Sequence, residues 1–230
     1  MHRTEKSRTE QNRTLPELLY LLCYTVEKGK FVTTDLQGRG QLLRAGALAR
    51  LTLDGLVAPQ GSKGRKVVRR AGTMPADPFT ADVWRGIPTD KPKSWLSQIH
   101  DAYTAEQAVR EQLVASGAVT VTDKNRLLSP LAGHQVAIKD LQEITELQDR
   151  VRSVVLLGAD PSTVAVHDLT MAVFAAELEV SSVFSGKERR THKQALKTLA
   201  DHFDGLVPGL RAALRDSYLS SRAVGGGWGK

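Results

Sequence analysis

Apolar residues between Thr14 and Gly29 fall at Leu15, Leu18, Leu19, Leu22, Cys23 and Val26, the spacing of a single helical stripe. Thr14 and Glu17 stand at its head with capping-box spacing, and Lys28 with Gly29 supplies the stop. Cys23 lies on the stripe and is expected in the core. "FVTTDLQGRG" reads as a loop or a short extended piece. The pattern then predicts a second helix from about Gly40 to Asp54, stopped by Gly55. Its Ala45, Gly46, Ala47 and Ala49 carry little side-chain bulk, which permits a close helix neighbour.

Beyond Gly55 the period changes. "GLVAPQGSKGRKVVRR" predicts a two-stranded ribbon with glycines at its turn. The proline-bearing stretch from Ala71 to Lys93 is expected to be irregular, with one short helix around Ala81 to Arg85. From Ser94 the pattern is helical again, with Trp95, Leu96 and Ile99 on one face. Thr104 and Gln107 resemble a second capping box before Ala105, Ala108, Val109 and Leu113, and Ser116 with Gly117 ends that helix. "AVTVTDKNRLLSPL" alternates and turns at Asp123 to Asn125, which predicts a short hairpin. The remainder reads as helix over roughly 139–157, 161–178 and 187–220, the last broken near Pro208. The expected architecture is mainly α: one helical domain over residues 14–222 with one or two small β-hairpins. A disordered basic tail is expected at 1–13 and a flexible tail at 223–230.

Composition narrows the partner. A net charge of +7 favours an anionic surface: nucleic acid, an acidic membrane or an acidic protein. The amino-terminal residues are polar, so no signal peptide is read, and no apolar run is long enough to span a bilayer. A single cysteine excludes an intrachain disulfide and fits a reducing compartment.

Candidate chemistry is sparse. The six histidines are scattered and no metal-ligand spacing occurs, so no metal or other cofactor is expected. "GRG" and "GSKGRK" fit neither the phosphate-loop nor the dinucleotide pattern. No catalytic constellation is legible, and the chain is expected not to be an enzyme. Two features stand out. Lys63, Arg65, Lys66, Arg69 and Arg70 form a basic cluster uninterrupted by any acid between Val57 and Pro75. Arg44, about one turn inside a helix starting near Gly40, would sit beside unpaired amides that suit a phosphate. The plainer alternative is an arginine at the core edge paired with an acid such as Asp35.

"LPELLYLLCYTVEKGK" followed by "LLRAGALARLTLDGLV" resembles the opening of the Golgi phosphoprotein 3 family, whose second helix has the form RGxxLxELxLRGRL. Arg44, Leu48, Leu51, Leu53 and Gly55 keep that pattern, whereas Arg50 and Asp54 replace its glutamate and arginine. The order of later segments agrees: basic "GRKVV", a proline-bearing linker, "KSWLSQI", a helix ending in "LVASGAV", then "DKNRLL". The likeness runs from Leu15 to Val183.

The resemblance implies a mainly helical domain that binds phosphatidylinositol 4-phosphate on membranes and, in eukaryotic members, serves as an adaptor for protein partners. It assigns the phosphate arginine to Arg44. The headgroup tryptophan falls near Asp35, with Phe31 the nearest aromatic. Paired basic residues fall near Tyr103 and Glu106, neither of them basic, and Arg110 lies one turn beyond as a substitute. The hairpin residues that enter the bilayer correspond to Leu127 and Leu128.

The preferred reading is therefore a non-enzymatic peripheral membrane protein, cytoplasmic, on the inner face of a membrane of bacterial type. It would hold anionic lipid headgroups through Arg44, Arg110 and Phe31, attract the surface through the basic cluster, and insert Leu127 and Leu128. The alternative is nucleic-acid binding, because helix, turn, helix and basic wing also describe a winged-helix reader. A scaffold with neither ligand is the third class, and a homo-oligomer stays open.

Overall fold

The computed structural model describes residues 13–31, 36–100, 102, 104–122 and 135–225. The first helix, α1 (Leu15–Leu22), forms where its capping box places it: Thr14 N donates to Glu17 Oε2 at 2.8 Å and Glu17 N to Thr14 Oγ1 at 3.4 Å. All eight of its residues are buried, so it lies inside the molecule rather than on it. Strands β1 (Tyr24–Thr25) and β2 (Lys30–Phe31) form a small antiparallel pair closed by Gly29, whose φ of 60° an L side chain rarely adopts.

The axis of the fold is α2 (Leu36–Leu53). It starts one turn earlier than the sequence indicates, carrying "LQGRG" into the helix. Gly38 and Gly40 read as breakers, but at Gly40 a Cβ would lie 2.1 Å from the Ala102 carbonyl oxygen, so only glycine lets the chain pass that close. Gly46 serves α1 in the same way, with Leu19 Cδ1 2.5 Å from a built Cβ. Leu42, Leu43, Leu48 and Leu51 are fully buried together with the intervening alanines. Eleven of its eighteen residues are buried, which puts α2 at the centre of the fold.

Around α2 pack α1, α3 (Pro78–Gly86), α4 (Trp95–His100), α5 (Ala105–Ala115), α7 (Val166–Glu177) and α10 (Leu210–Gly225). The remaining helices are α6 (Leu141–Leu156), capped by Asp140, and the pair α8 (Gly186–Thr191) and α9 (Lys193–Leu206). The last helical region is thus three helices, interrupted at His192 as well as at Val207 to Gly209. Leu18, Leu22, Cys23, Leu48 and Leu51 belong to one hydrophobic cluster, as the stripe requires.

Two further antiparallel sheets complete the fold. Strands β3 (Val57–Gln60), β4 (Lys66–Arg69) and β5 (Lys93–Ser94) pair in that order, with Val57 opposite Arg69 and Val67 opposite Lys93. Strands β6 (Val119–Thr122) and β7 (Gln135–Ile138) pair from Val119–Ile138 to Thr122–Gln135. The return strand therefore lies beyond Leu131, later than the alternation suggested. Thr104 precedes α5 without a side-chain cap, so the second capping box does not form.

Candidate functional site

The ribbon β3–β4 turns through Gly61 to Arg65. Three positive-φ residues make the turn: Gly61 at φ 75°, Lys63 at 56° and Gly64 at 62°. Lys63, Arg65, Lys66 and Arg70 are exposed, and none forms an ion pair among the described residues. Arg69 is different. Its guanidinium lies 4.6 Å over the Trp84 ring, and that indole donates to the Leu56 carbonyl at 3.3 Å, so Arg69 helps close the sheet onto α3.

The turn is held from below. Trp95 Nε1 donates to two carbonyls, Gly64 at 2.6 Å and Pro208 at 3.1 Å, and its backbone N–H reaches Arg65 O at 3.1 Å. Trp95 is itself fully buried. These bonds fix the basic turn against the loop between α9 and α10, so its cations project from a rigid base.

A second polar group lies between α1, α2 and α5. Glu106, only 3% exposed, receives Tyr20 Oη at 3.3 Å and Arg110 Nη1 at 3.1 Å, and Arg39 Nη2 stands 3.8 Å away. Burial, reinforced by the Glu106 carboxylate, pushes the Tyr20 phenol well above its ordinary range. Arg39 also covers the Phe31 ring at 4.6 Å, and Phe31 meets Tyr20 and Tyr24 edge to face at 4.9 and 5.3 Å.

The residues singled out from the sequence thus separate into three places: the ribbon, the Glu106 group and the contact of Arg44 with α4. Phe31 and Arg110 do come together, but around an internal carboxylate. Arg44 is not near a helix start: α2 begins at Leu36, which leaves Arg44 roughly 12 Å along the axis from the first-turn amides. Its Nε donates to the Gln98 carbonyl at 2.5 Å, joining α2 to α4. Leu127, Leu128, Tyr103 and Asp35 lie outside the described residues. Arg39 escaped the sequence reading, and Glu106 entered it only as a position that is not basic, not as the centre of a buried group. The only available signal was charge within an otherwise apolar setting.

The family model for Golgi phosphoprotein 3 matches residues 15–217, from the first residue of α1 into α10. The chain belongs to the Golgi phosphoprotein 3 family. No curated protein matches it.

In this Golgi phosphoprotein 3 family member, one position expected to carry a cation holds Glu106, and two arginines turn toward it. The cluster keeps an excess of one positive charge, but both guanidinium groups are turned inward onto Glu106. The ribbon is the reverse: cations without local acids on a fixed support. Among the described residues no group of histidine, cysteine and carboxylates could hold a metal ion, and no helix is long and apolar enough to cross a membrane. The winged-helix comparison fails on α2, which lies enclosed by six helices and cannot enter a DNA groove.

Proposed function

We propose that this Golgi phosphoprotein 3 family member associates peripherally with anionic membrane surfaces, with the β3–β4 ribbon as the principal contact. The observation that carries the reading is the set Lys63, Arg65, Lys66 and Arg70, exposed, without ion-pair partners among the described residues and anchored through Trp95. Each basic residue near an anionic surface contributes about 1 kcal/mol, so the set reaches useful affinity only together. Family membership supports the membrane habit. Recognition of a phosphatidylinositol 4-phosphate headgroup has support from the family alone, since Arg44 and Arg110 spend donors on Gln98 and Glu106.

Co-sedimentation with vesicles tests it. The protein binds vesicles of phosphatidylcholine with added phosphatidylglycerol, ignores pure phosphatidylcholine, and releases as salt rises. The variant K63A/R65A/K66A loses about a hundredfold in affinity while its melting temperature stays within a few degrees of the parent. Equal binding by parent and variant would remove the ribbon from the contact. Substituting phosphatidylinositol 4-phosphate at matched charge reads out headgroup preference on the same material.

A further inference from the structure

Residues of α7, α9 and α10, with Arg189 of α8, line an open cavity of about 380 Å³. One face of α9 lines it from the helix's first residue: Lys193, Leu196, Lys197, Ala200 and Asp201 recur at helical spacing. Val173 and Ala176 of α7 join Leu196 and Ala200 to give an apolar floor. The walls carry five cations and two carboxylates, and Asp204 and Glu179 beside them pair with Arg211 and Arg189, which leaves an excess of one positive charge.

Both carboxylates are already engaged. Glu177 receives Arg211 Nη1 at 2.7 Å and Arg215 Nε at 2.6 Å, and Asp201 receives Lys197 Nζ at 2.6 Å. Arg211 also holds Asp204, which fixes the cavity wall. Lys193 makes no hydrogen bond or ion pair among the described residues, and it stands at the start of α9. The N-cap there, His192, gives no side-chain hydrogen bond to the first-turn amides. The positive helix end and the Lys193 ammonium both favour an anion at this end of the cavity. Arg189 lines the same end, its guanidinium 3.6 Å from Glu179. A bare inorganic anion would leave the apolar floor unused.

We propose that this cavity binds a small amphipathic anion: a phosphate or carboxylate head beside Lys193 and Arg189, with a short hydrocarbon group over Val173, Ala176, Leu196 and Ala200. The volume sits at the small end of ligand pockets, which sets the size of the guest. The site is distinct from the ribbon and does not depend on the membrane reading.

Calorimetric titration of the full chain with octyl phosphate, kept below its micelle concentration, tests this beside inorganic phosphate and octyl glucoside. Octyl phosphate binds saturably at one site, inorganic phosphate about tenfold or more weakly, and octyl glucoside not at all. Lys193→Glu, at an exposed position, weakens octyl phosphate by about tenfold or more with an unchanged melting temperature. Lys193→Gln gives an intermediate loss and stands in if the charge reversal disturbs folding. The ribbon variant K63A/R65A/K66A binds octyl phosphate as the parent does. Equal binding of octyl glucoside, unchanged affinity in both Lys193 variants, or loss in the ribbon variant would each overturn the proposal.

Discussion

Gly64 and Gly209 meet backbone to backbone: a Cβ on Gly209 would stand 2.6 Å from the Gly64 carbonyl oxygen, and one on Gly64 would stand 2.6 Å from Pro208 Cβ. Both glycines have positive φ, 62° and 82°. The contact joins the tip of the basic ribbon to the α9–α10 loop at a separation that any side chain would break.

Gly209→Ala is therefore expected to destabilise the protein by about 2–4 kcal/mol, roughly 5–12 °C in Tm, from collision and left-handed strain together. Gly55→Ala is the control, since Gly55 shares the positive φ but has nothing within 4 Å of a built Cβ. It loses only about 1 kcal/mol. Similar Tm values for the two variants would show that the Gly64–Gly209 contact contributes nothing.

Trp95→Phe removes the donor shared by the Gly64 and Pro208 carbonyls together with part of the buried ring bulk. Two part-buried acceptors lose their partner and the smaller ring leaves a void, together costing about 2–4 kcal/mol. Chemical denaturation measures the loss. Hydrogen exchange at the ribbon amides, fast in the variant and slow in the parent, shows whether the indole holds the turn.

Glu106→Gln leaves Arg39 and Arg110 facing a neutral amide. Removing one partner from a buried ionic group costs about 3–5 kcal/mol, and the amide's own hydrogen bonds recover part of it. Stability falls by about 2–4 kcal/mol, while Tyr20→Phe loses about 1 kcal/mol. A stability equal to that of the parent in Glu106→Gln would mean the two guanidinium contacts are energetically idle.

His167 provides the pH dependence. Its Nε2 faces Arg50 Nη1 at 3.0 Å, an arrangement that needs the ring neutral and accepting. Burial, then the Arg50 charge, hold its pKa below the ordinary 6.5, against the opposing pull of Asp168 and Asp54. The unfolded chain thus takes up this proton at a higher pH than the folded one. The contribution is intact above about pH 6.5 and declines as pH falls below it. His167→Gln removes that decline: the difference in unfolding free energy between parent and variant changes between pH 7 and pH 5. A constant difference would show that His167 does not titrate differently on folding.

Where structure follows from neighbouring residues, the sequence was readable. Thr14 and Glu17 cap α1 through bonds three residues long, and the glycines at 61 and 64 announce a turn whatever surrounds them. The start of α2 was hidden, because the reason for glycine at position 40 is Ala102, distant in sequence, which presses against the backbone there. Arg44 was consequently assigned to a helix end it does not occupy. The pairing of Arg39 and Arg110 with Glu106 needs α2 and α5 side by side, which no local pattern reveals. Conversely, the basic cluster was legible as charge, but its rigid mounting on Trp95 was not.

Lys63 holds φ 56°, ψ 25°, a conformation that suits glycine or asparagine better than lysine. Position 63 therefore sets two demands against each other. A library screened for thermal resistance alone would drift there toward glycine or asparagine and return a sturdier protein with one cation fewer at the ribbon tip. Selection on vesicle capture would restore lysine and accept the looser fold. Ranking variants at this single codon under the two regimes separates what the turn needs to fold from what it needs to present.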